Sequence, residues 1–391
     1  RQNGHSVSVT AVDEVERGGL SVEKQDTITG STPQGDADFS GITFEVINNS
    51  QNPVVVNSEK YNPGEVVLPL TTDESGRAAT ADDALPYGEY ILHESATNES
   101  MLLTAPDQTV LVEDDGVIYE FTMADEVMRG GVLIEKRDLE SKLLTPLGGA
   151  SLDGTLFEIT NMSRNPVYVG GALYQPGEVC ATIEVKDGIA QTENRALPYG
   201  TYEMQEVKPG EGYLHTDKAV RHFTIRQDGQ VVEYRDGDAA YNQVIRGDLM
   251  FIKVGEGGGA HMGRFANVAF KLTSQTTGES HIVVTDENGE VRTTTEWNPH
   301  SQNTNGNDGV EDEGVWDDHA GTWFGLTTEG WMVETQDGLC ALPYDTYTLE
   351  ELPCEGNQGY ELVSIPNITI SRNNTTIELG TIDDQFEGVP E

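Results

Sequence analysis

The feature that most constrains this chain is an internal repeat. The segment ALPYGEYILHE at 84–94 returns as ALPYGTYEMQE at 196–206 and as ALPYDTYTLEE at 341–351. The first two copies are separated by the same 112 residues that separate Lys24, in RGGLSVEKQD, from Lys136, in RGGVLIEKRD. A repeat of this length can bury a hydrophobic core of its own. The sequence therefore predicts tandem domains rather than one large domain.

The repeat divides the chain into three predicted domains, at 18–129, 130–246 and 247–391, joined by the short linkers RGG and RGD. The third copy carries an insertion at about 293–335. Residues 1–17 parallel the end of a repeat, so we interpret them as the last strand of a preceding domain and the chain as a fragment of a longer protein. The alternative is a strand that adds to the edge of a neighbouring sheet.

The local sequence pattern predicts the fold class. Short runs of alternating apolar and polar residues, separated by Asn-Gly, Asp-Gly and Pro-Gly turns, predict β-strands throughout. Sustained helical periodicity is absent from the sequence. Each copy has about 110 residues and about seven strands, which favours a small antiparallel β-sandwich of immunoglobulin-like size. We therefore predict an all-β protein with three sandwiches in tandem.

Charge and cysteine content limit the partners of the chain. A formal net charge of −44 argues against nucleic acid and against anionic membrane surfaces. No run of about 18 apolar residues is present to insert into a bilayer. Three cysteines are too few for a disulfide scaffold, although Cys340 and Cys354 flank one copy of the repeat and could pair. We interpret Cys180 as a buried apolar side chain.

Each repeat places charged residues on the apolar face of its strands. Side chains alternate between faces with a period of two, so Lys24 shares a face with Leu20 and Val22. The same alternation puts a glutamate on the apolar face of the ALPY strand, and an Asp or Asn on that of the last strand. The predicted core-facing residues are the lysines Lys24, Lys136 and Lys253, the glutamates Glu94, Glu206 and Glu351, and the strand-end residues Asp125, Asn242 and Asp383.

Burying an unpaired charge costs on the order of several kcal/mol, so the pattern needs an explanation. One explanation is that the lysines lie at strand ends and extend to water. The other is chemical: burial lowers the pKa of lysine and raises that of glutamate, and a protonated glutamate can polarise a neighbouring acyl group. The neutral amine would then form an amide, releasing ammonia from Asn242 or water from Asp125 or Asp383. Three aligned lysines favour this second explanation. Because the reaction occurs once per molecule, we predict neither an enzyme nor a cofactor.

The lysine strand, the LPYGxYxxxE motif and the closing Asn or Asp strand together resemble the B-type repeat domains of collagen-binding adhesins, which also occur in Gram-positive pilins. The resemblance covers nearly all of 18–391. It implies a transthyretin-like Greek-key sandwich with a spontaneous isopeptide bond between Lys and Asn or Asp, for which Glu is the catalyst. Carried over by position, the three sets are Lys24, Glu94 and Asp125; Lys136, Glu206 and Asn242; and Lys253, Glu351 and Asp383.

Two features depart from the family pattern. Two acceptors are Asp where Asn is commoner, and ALPYDTY has Asp345 where the motif has Gly. Asp384 is a rival to Asp383 as the third acceptor. The resemblance also implies a role as the structural stalk of a surface adhesin or pilin-like protein, extracellular and anchored to the cell wall through regions outside this fragment. We expect a monomer whose partners are the neighbouring repeats of the same chain.

The insertion in the third copy supports an alternative function. Its Gly- and Asn-rich sequence contains every tryptophan of the chain, and long loops on a rigid scaffold often bind ligands. On this hypothesis the patch recognises a host glycan or protein. On the interpretation that we favour, the aromatic residues form a small core that packs the insertion against its own sheet. The residues of the patch are Trp297, Trp316, Trp323 and Trp331.

A metal site and an enzyme are weaker hypotheses. His300, His319, Asp317 and Asp318 match no specific ligand spacing, and TDENGE at 285–290 lacks the full calcium-loop signature, so we predict no metal. A glycosidase with paired carboxylates is disfavoured because a catalytic site is seldom repeated in tandem and because these glutamates face the core.

Overall fold

The computed structural model describes residues 13–255, 263–295, 322–325 and 338–385. Over these residues the chain consists of β-strands with two short 3₁₀ helices, which confirms the all-β prediction. Three successive segments each form two facing sheets around one hydrophobic core. Within the described residues, no helix is long and apolar enough to cross a membrane.

The first domain has one sheet that contains its first and last strands and a second, antiparallel sheet that contains the glutamate strand. Its strands are β1 (Arg17–Asp26), β2 (Thr43–Asn48), β3 (Val54–Val56), β4 (Glu59–Tyr61), β5 (Val66–Thr71), β6 (Arg77–Ala79), β7 (Leu85–Pro86), β8 (Gly88–Ala96), β9 (Met101–Leu102), β10 (Gln108–Val112) and β11 (Ile118–Val127). The sheet orders are β6–β1–β11–β9 and β10–β8–β2–β5, and β7 also pairs with β1.

The second domain repeats this plan. Its elements are β12 (Arg129–Asp138), β13 (Leu156–Asn161), β14 (Val167–Val169), β15 (Ala172–Tyr174), β16 (Val179–Glu184), β17 (Ile189–Gln191), β18 (Leu197–Pro198), β19 (Gly200–Lys208), β20 (Val220–Ile225), β21 (Val231–Tyr234), a 3₁₀ helix (Asp236–Asp238) and β22 (Ala240–Asn242). Here β12 pairs with β17, β18, β21 and β22, and the facing sheet has the order β16–β13–β19–β20.

The third domain keeps both sheets. Its elements are β23 (Arg246–Gly255), β24 (Gly263–Arg264), β25 (Ala269–Ser274), β26 (Ser280–Val284), β27 (Glu290–Arg292), β28 (Leu342–Pro343), β29 (Asp345–Glu351), a 3₁₀ helix (Glu355–Asn357), β30 (Ser364–Ile370) and β31 (Thr376–Asp384). The facing sheet has the order β26–β25–β29–β30, and β31 pairs with β23 in the other sheet.

The first and last strands of every domain are parallel neighbours, unlike the antiparallel pairs around them. In domain 1, Lys24 lies opposite Met123, two residues before Asp125. In domain 2, Lys136 lies opposite Ala240, two residues before Asn242. Because alternate residues of a strand share a face, this register brings the lysine and the acceptor to the same side of the sheet.

The LPYGxY motif has a structural role at the start of each glutamate strand. The hydroxyl of Tyr90 donates to the carbonyl of Pro86 at 2.8 Å, and its ring is fully buried. The equivalent bonds of the other two domains, from Tyr202 to Pro198 and from Tyr347 to Pro343, also measure 2.8 Å. The tyrosine therefore fixes the strand entry by bonding to the turn that precedes it.

The Asp345 that replaces the motif glycine is accommodated by polar neighbours. A Cβ at the equivalent Gly200 would lie 2.5 Å from Ser163 Oγ, whereas in domain 3 the Asp345 carboxylate is buried and accepts hydrogen bonds from Ser274 and, at 2.7 Å, from Thr276. The substitution thus changes the start of the strand without removing it.

Consecutive domains contact each other through equivalent segments. The loop after the first strand of one domain packs on the LPY segment of the next. At the first junction, Asp36 N donates to the Tyr199 carbonyl at 3.0 Å, and at the second, Gly149 N donates to the Tyr344 carbonyl at 2.8 Å. Residues 13–16, the described part of the predicted terminal strand, form no strand, and residues 1–12 lie outside the described residues.

Candidate crosslinking sites

In domain 1 the predicted lysine, glutamate and aspartate meet in the core. Lys24 comes from β1 and Asp125 from the adjacent β11, while Glu94 comes from β8 in the facing sheet. The Lys24 Nζ lies 2.5 Å from Glu94 Oε2 and 2.8 Å from Asp125 Oδ2, and all three side chains are fully buried. The amine therefore contacts both the proposed catalyst and the proposed acceptor, out of reach of solvent.

The two carboxyl groups of domain 1 have different proton affinities. Burial raises the pKa of Glu94 to about 7, against the opposing effect of its hydrogen bond with Lys24. Burial would also raise the pKa of Asp125, but hydrogen bonds with Lys24, Glu94 and the Thr104 backbone bring it below its ordinary value. A proton shared by the pair is therefore held by Glu94, the residue that a proton-transfer role requires.

Domain 2 has the same arrangement with an amide as the acceptor. Lys136 Nζ lies 2.8 Å from Glu206 Oε2, and Asn242 Nδ2 donates to Glu206 Oε1 at 2.6 Å. The glutamate thus bridges the amine and the amide nitrogen. Burial lowers the pKa of Lys136, against the attraction of Glu206. Loss of the ammonium proton is consequently easier here than in water, and the neutral amine is the nucleophile.

In domain 3 the lysine contacts Asp384. Lys253 Nζ lies 3.2 Å from Glu351 Oε2 and forms a short ion pair with Asp384. Burial, followed by the charge of Glu351, raises the pKa of Asp384 to about 6. Glu351 also accepts hydrogen bonds from Asn357 Nδ2 at 3.0 Å and from the Val363 backbone at 3.2 Å.

The prediction that Asp383 faces the core was wrong, because β31 contains a bulge. Between the Met250–Glu378 and Ile252–Thr381 pairs, β31 has one residue more than β23. Gly380 lies at this point with a φ of 75°, which glycine adopts without steric cost. The extra residue reverses the alternation downstream, so Asp383 is exposed and Asp384 is fully buried.

The tryptophan patch is only partly within the described residues. Trp297, Trp316 and Trp331 lie outside them. Trp323 has 1% of its surface exposed, and the Arg246 guanidinium lies 3.7 Å from its ring centroid. The neighbouring Phe324 belongs to the core of domain 3. Trp323 therefore packs into the protein and is not available to a ligand, in agreement with the small-core interpretation for this residue.

The other sequence hypotheses have these outcomes. Cys340 and Cys354 are both reduced thiols, as is the buried Cys180, so the structure contains no bond between the first two. In the 285–290 turn, Asp286 Oδ1 accepts the backbone N–H groups of Asn288 and Glu290, both at 2.8 Å. The Asp286 carboxylate therefore stabilises the turn to which it belongs. The proposed ligands His300, His319, Asp317 and Asp318 lie outside the described residues.

Sequence reasoning missed the loop that precedes the strand next to each glutamate. In domain 1 this loop contains Thr104, and in domain 2 it contains Thr216; both hydroxyls contact the acceptor side chain. The two threonines have the same spacing of 112 as the lysines and the glutamates. That spacing is the signal that could have identified them, although neither lies on a strand.

The fold and the buried triads define a class of tandem prealbumin-like β-sandwich domains. A model of the family described as the SpaA prealbumin-like fold domain matches residues 19–127 and 146–238, more than half of the chain. This chain therefore belongs to the SpaA prealbumin-like family, which confirms the family resemblance noted from the sequence.

Solved structures that align with this chain include a Bacillus anthracis protein and two pilin subunits. The Bacillus anthracis TIE protein matches with a TM-score of 0.54 and 18% identity, over 95% of this chain and 51% of its own, so this chain spans about half of its length. BcpA, the major pilin subunit of Bacillus cereus, has a TM-score of 0.29 and 14% identity, over 95% of this chain and 100% of its own. GBS52, the minor pilin of Streptococcus agalactiae, has a TM-score of 0.24 and 16% identity, over 58% and 96%. No curated protein matches the sequence.

Proposed function

We propose that this chain is a stalk region of a bacterial surface protein whose domains are each crosslinked by an amide bond formed without an external enzyme. The bonds join Lys24 to Asp125, Lys136 to Asn242 and Lys253 to Asp384. The observation that carries the proposal is the contact, in all three buried cores, between a lysine amine and a glutamate. The same glutamate also forms a hydrogen bond with the proposed acceptor.

The glutamate supplies the proton transfers that the reaction needs. In domain 1, a protonated Glu94 donates its proton to the Asp125 carboxyl group, and the resulting glutamate carboxylate receives the proton released by the Lys24 amine. Fixed neighbours in a dry core give the amine a large effective concentration at the acyl carbon. The catalyst is regenerated but the lysine is consumed, so each domain reacts once and the protein is not an enzyme in the usual sense.

The bond would stabilise a stalk against unfolding by force. It joins the first strand of a domain to its last, so tension applied at the two ends passes through the crosslink instead of separating the sheets. By the chain-entropy argument used for disulfides, closing a loop of about 100 residues contributes on the order of 4–5 kcal/mol. The contacts at both domain junctions add to this role by holding successive domains together.

The proposed location and partners follow from this role. This chain belongs to the SpaA prealbumin-like family, and BcpA and GBS52, with which it aligns, are pilin subunits. We therefore place the protein on the outside of the cell, anchored to the cell wall through other parts of the protein. Its partners are the adjoining repeats of the same chain.

Peptide mapping tests the proposal. After denaturation and proteolysis, mass spectrometry should find three branched peptides, which join Lys24 to Asp125, Lys136 to Asn242 and Lys253 to Asp384. A Lys136→Met variant should lose only the second branched peptide. Detection of all six segments as separate linear peptides would reject the proposed function.

A further inference from the structure

In domain 1 one oxygen of the acceptor lies in a group of hydrogen-bond donors. Asp125 Oδ1 accepts the backbone N–H of Thr104 at 2.8 Å, the backbone N–H of Ala105 at 2.7 Å and the Thr104 hydroxyl at 3.1 Å. The other oxygen, Oδ2, faces Lys24. The two oxygens of this carboxyl group are therefore distinguished by their surroundings before any reaction.

Domain 2 repeats the arrangement. Asn242 Oδ1 accepts the backbone N–H of Asp217 at 2.9 Å, the backbone N–H of Thr216 at 3.2 Å and the Thr216 hydroxyl at 3.3 Å. Its Nδ2, the group that would leave, faces Glu206.

The threonine hydroxyl is oriented in the same way in both domains. The residue after the acceptor donates its backbone N–H to the threonine oxygen, from Glu126 to Thr104 at 3.2 Å and from Gln243 to Thr216 at 3.0 Å. Because the threonine oxygen accepts this bond, its own hydrogen is left to point at the acceptor Oδ1.

The described residues of domain 3 do not provide these donors. Glu361 N donates to the Gln385 carbonyl, and Leu214 N makes the equivalent bond to the Gln243 carbonyl in domain 2. Val363, two residues after Glu361, is therefore the counterpart of Thr216, two residues after Leu214. Valine has no hydroxyl group, and its backbone N–H donates to Glu351 instead of to the acceptor. Within the part of the chain that the structure describes, no backbone N–H donates to the Asp384 carboxylate.

We propose that the loops at Thr104 and Thr216 are oxyanion holes for amide-bond formation, and that domain 3 reacts without one. The assignment rests on the proposed crosslinking function.

The neutral lysine Nζ attacks Cγ of the acceptor, and the electron pair of the carbonyl bond moves onto Oδ1. Glutamate takes a proton from the new C–N nitrogen and delivers it to the leaving group, so Nδ2 of Asn242 departs as ammonia. Oδ2 of the ionised Asp125 needs two protons to depart as water. These are the proton that Lys24 loses on becoming neutral and the proton of the new C–N nitrogen, both passed on by Glu94. The carbonyl then re-forms at Oδ1, with no change in oxidation state.

The donors act when charge develops on Oδ1. Before attack, the acceptor oxygen of Asn242 carries only the partial charge of an amide, and that of Asp125 shares its charge with Oδ2. In the tetrahedral state the charge is concentrated on Oδ1, where fixed N–H groups stabilise it most. The separations of 2.7–3.3 Å in the two domains are close to those of productive oxyanion donors.

The experiment follows the rate of bond formation in the full chain. Protein made by cell-free translation is sampled after synthesis is stopped, quenched in acid and mapped by mass spectrometry to score each domain separately. Losing one hydroxyl donor should slow the bond about tenfold, in domain 1 for Thr104→Val and in domain 2 for Thr216→Val. Thr104→Ser keeps the hydroxyl and should react at close to the wild-type rate. In the unaltered chain, domain 3 should react more slowly than domains 1 and 2.

Two controls distinguish a role of Thr104 in the reaction from a purely structural role. Thr104→Val in a Lys24→Ala background, where no bond can form in domain 1, measures the effect of the substitution on stability alone. The assignment is overturned if Thr104→Val, folded by this criterion, crosslinks at the wild-type rate, or if Thr104→Ser is as slow as Thr104→Val. An unaltered chain that never forms any bond rejects the proposed function itself, which is a different result from unchanged rates in a chain that does crosslink.

Discussion

The sites of domains 1 and 3 contain the same three residue types but distribute their hydrogen bonds differently. In domain 1 the loop donors bind the acceptor Asp125, whose pKa lies below its ordinary value, while burial raises the pKa of Glu94 to about 7. In domain 3 the donors bind Glu351, and the pKa of the acceptor Asp384 is raised to about 6. In domain 1 the raised pKa is that of the glutamate, and in domain 3 it is that of the aspartate beside the lysine.

This difference shows that a lysine, a glutamate and an acid do not by themselves specify equal reactivity. Domain 1 combines a glutamate whose raised pKa favours its protonated form with donors that could hold a developing oxyanion. Domain 3 has an acceptor that is more easily protonated but no matching donors among its described residues. We therefore expect the crosslinks of domains 1 and 2 to be complete and that of domain 3 to form more slowly.

The largest expected effect is that of removing a lysine from a fully crosslinked domain. Lys24→Met should abolish the first bond and lower the free energy of unfolding of domain 1 by about 4–5 kcal/mol, because the unfolded chain regains its loop entropy. Chemical denaturation, with intact mass recorded in parallel, measures both effects. Lys60→Met, at an exposed lysine of the same domain, is the control and should change neither.

Lys253→Met should lower the free energy of unfolding of domain 3 by less than Lys24→Met lowers that of domain 1, in any preparation in which the third bond is incomplete. Equal losses in domains 1 and 3, with both bonds fully formed at the earliest time measured, would remove the distinction between the sites.

Removing the acidic proton of Glu94, the proposed catalyst, should have the next largest effect. Glu94→Gln preserves the shape of the side chain but removes its acidic proton, and it should slow the first crosslink by at least about 100-fold, the usual contribution of a positioned acid–base group. Time-resolved mass mapping of the three domains provides the measurement, with domain 2 as the internal control. Normal crosslinking of domain 1 in this variant would exclude proton transfer by Glu94.

A pair of substitutions identifies the third acceptor. Asp384→Ala should remove whatever third crosslink the chain forms, whereas Asp383→Ala should leave it in place because that side chain points to solvent. Peptide mapping of both variants after long incubation gives the answer. Loss of the bond in Asp383→Ala alone would mean that the β31 bulge does not set the register of the reacting chain.

The smallest expected effect is a difference in pH dependence. Both Glu94 and Asp384 have raised pKa values, so the protonated form is favoured by folding and is lost as the pH rises through about 7 for Glu94 and about 6 for Asp384. Above its pKa, each reactive form should decline roughly tenfold per pH unit.

Initial crosslinking rates from pH 5.5 to 8 should therefore fall with a lower midpoint in domain 3 than in domain 1. Because the folded state binds these protons more tightly than the unfolded state, the free energy of unfolding of the uncrosslinked domains also falls as the pH rises through these values. Identical profiles, or rates that rise steadily to pH 8 in both domains, would contradict the assignment of the protons.

Much of this architecture could be predicted from the sequence because period-two alternation and the 112-residue spacing are local signals. They placed Lys24, Glu94 and Asp125 on core-facing positions without any structure. The sequence predicted the wrong core-facing residue at the end of β31, because a bulge at Gly380 reverses the alternation of side chains there. A glycine in a strand does not by itself reveal whether the strand is bulged.

Other parts of the site depend on tertiary contacts that no periodicity describes. Thr104 lies in a loop, where alternation gives no information about direction, and its partner Asp125 is 21 residues away. The favoured small-core interpretation of the insertion named no packing partner for Trp323. Its buried ring lies against the guanidinium of Arg246, which pairs with Glu140 at 2.6 Å.

The intact mass of the full chain under denaturing conditions shows directly whether the amide bonds form. Crosslinking should lower the mass from that of the sequence by about 18 Da for the Asp125 bond and about 17 Da for the Asn242 bond, and by about 53 Da in total once the Asp384 bond forms. A mass equal to that of the unmodified sequence after long incubation would show that the buried amines and acyl groups remain separate and that the domains are not crosslinked.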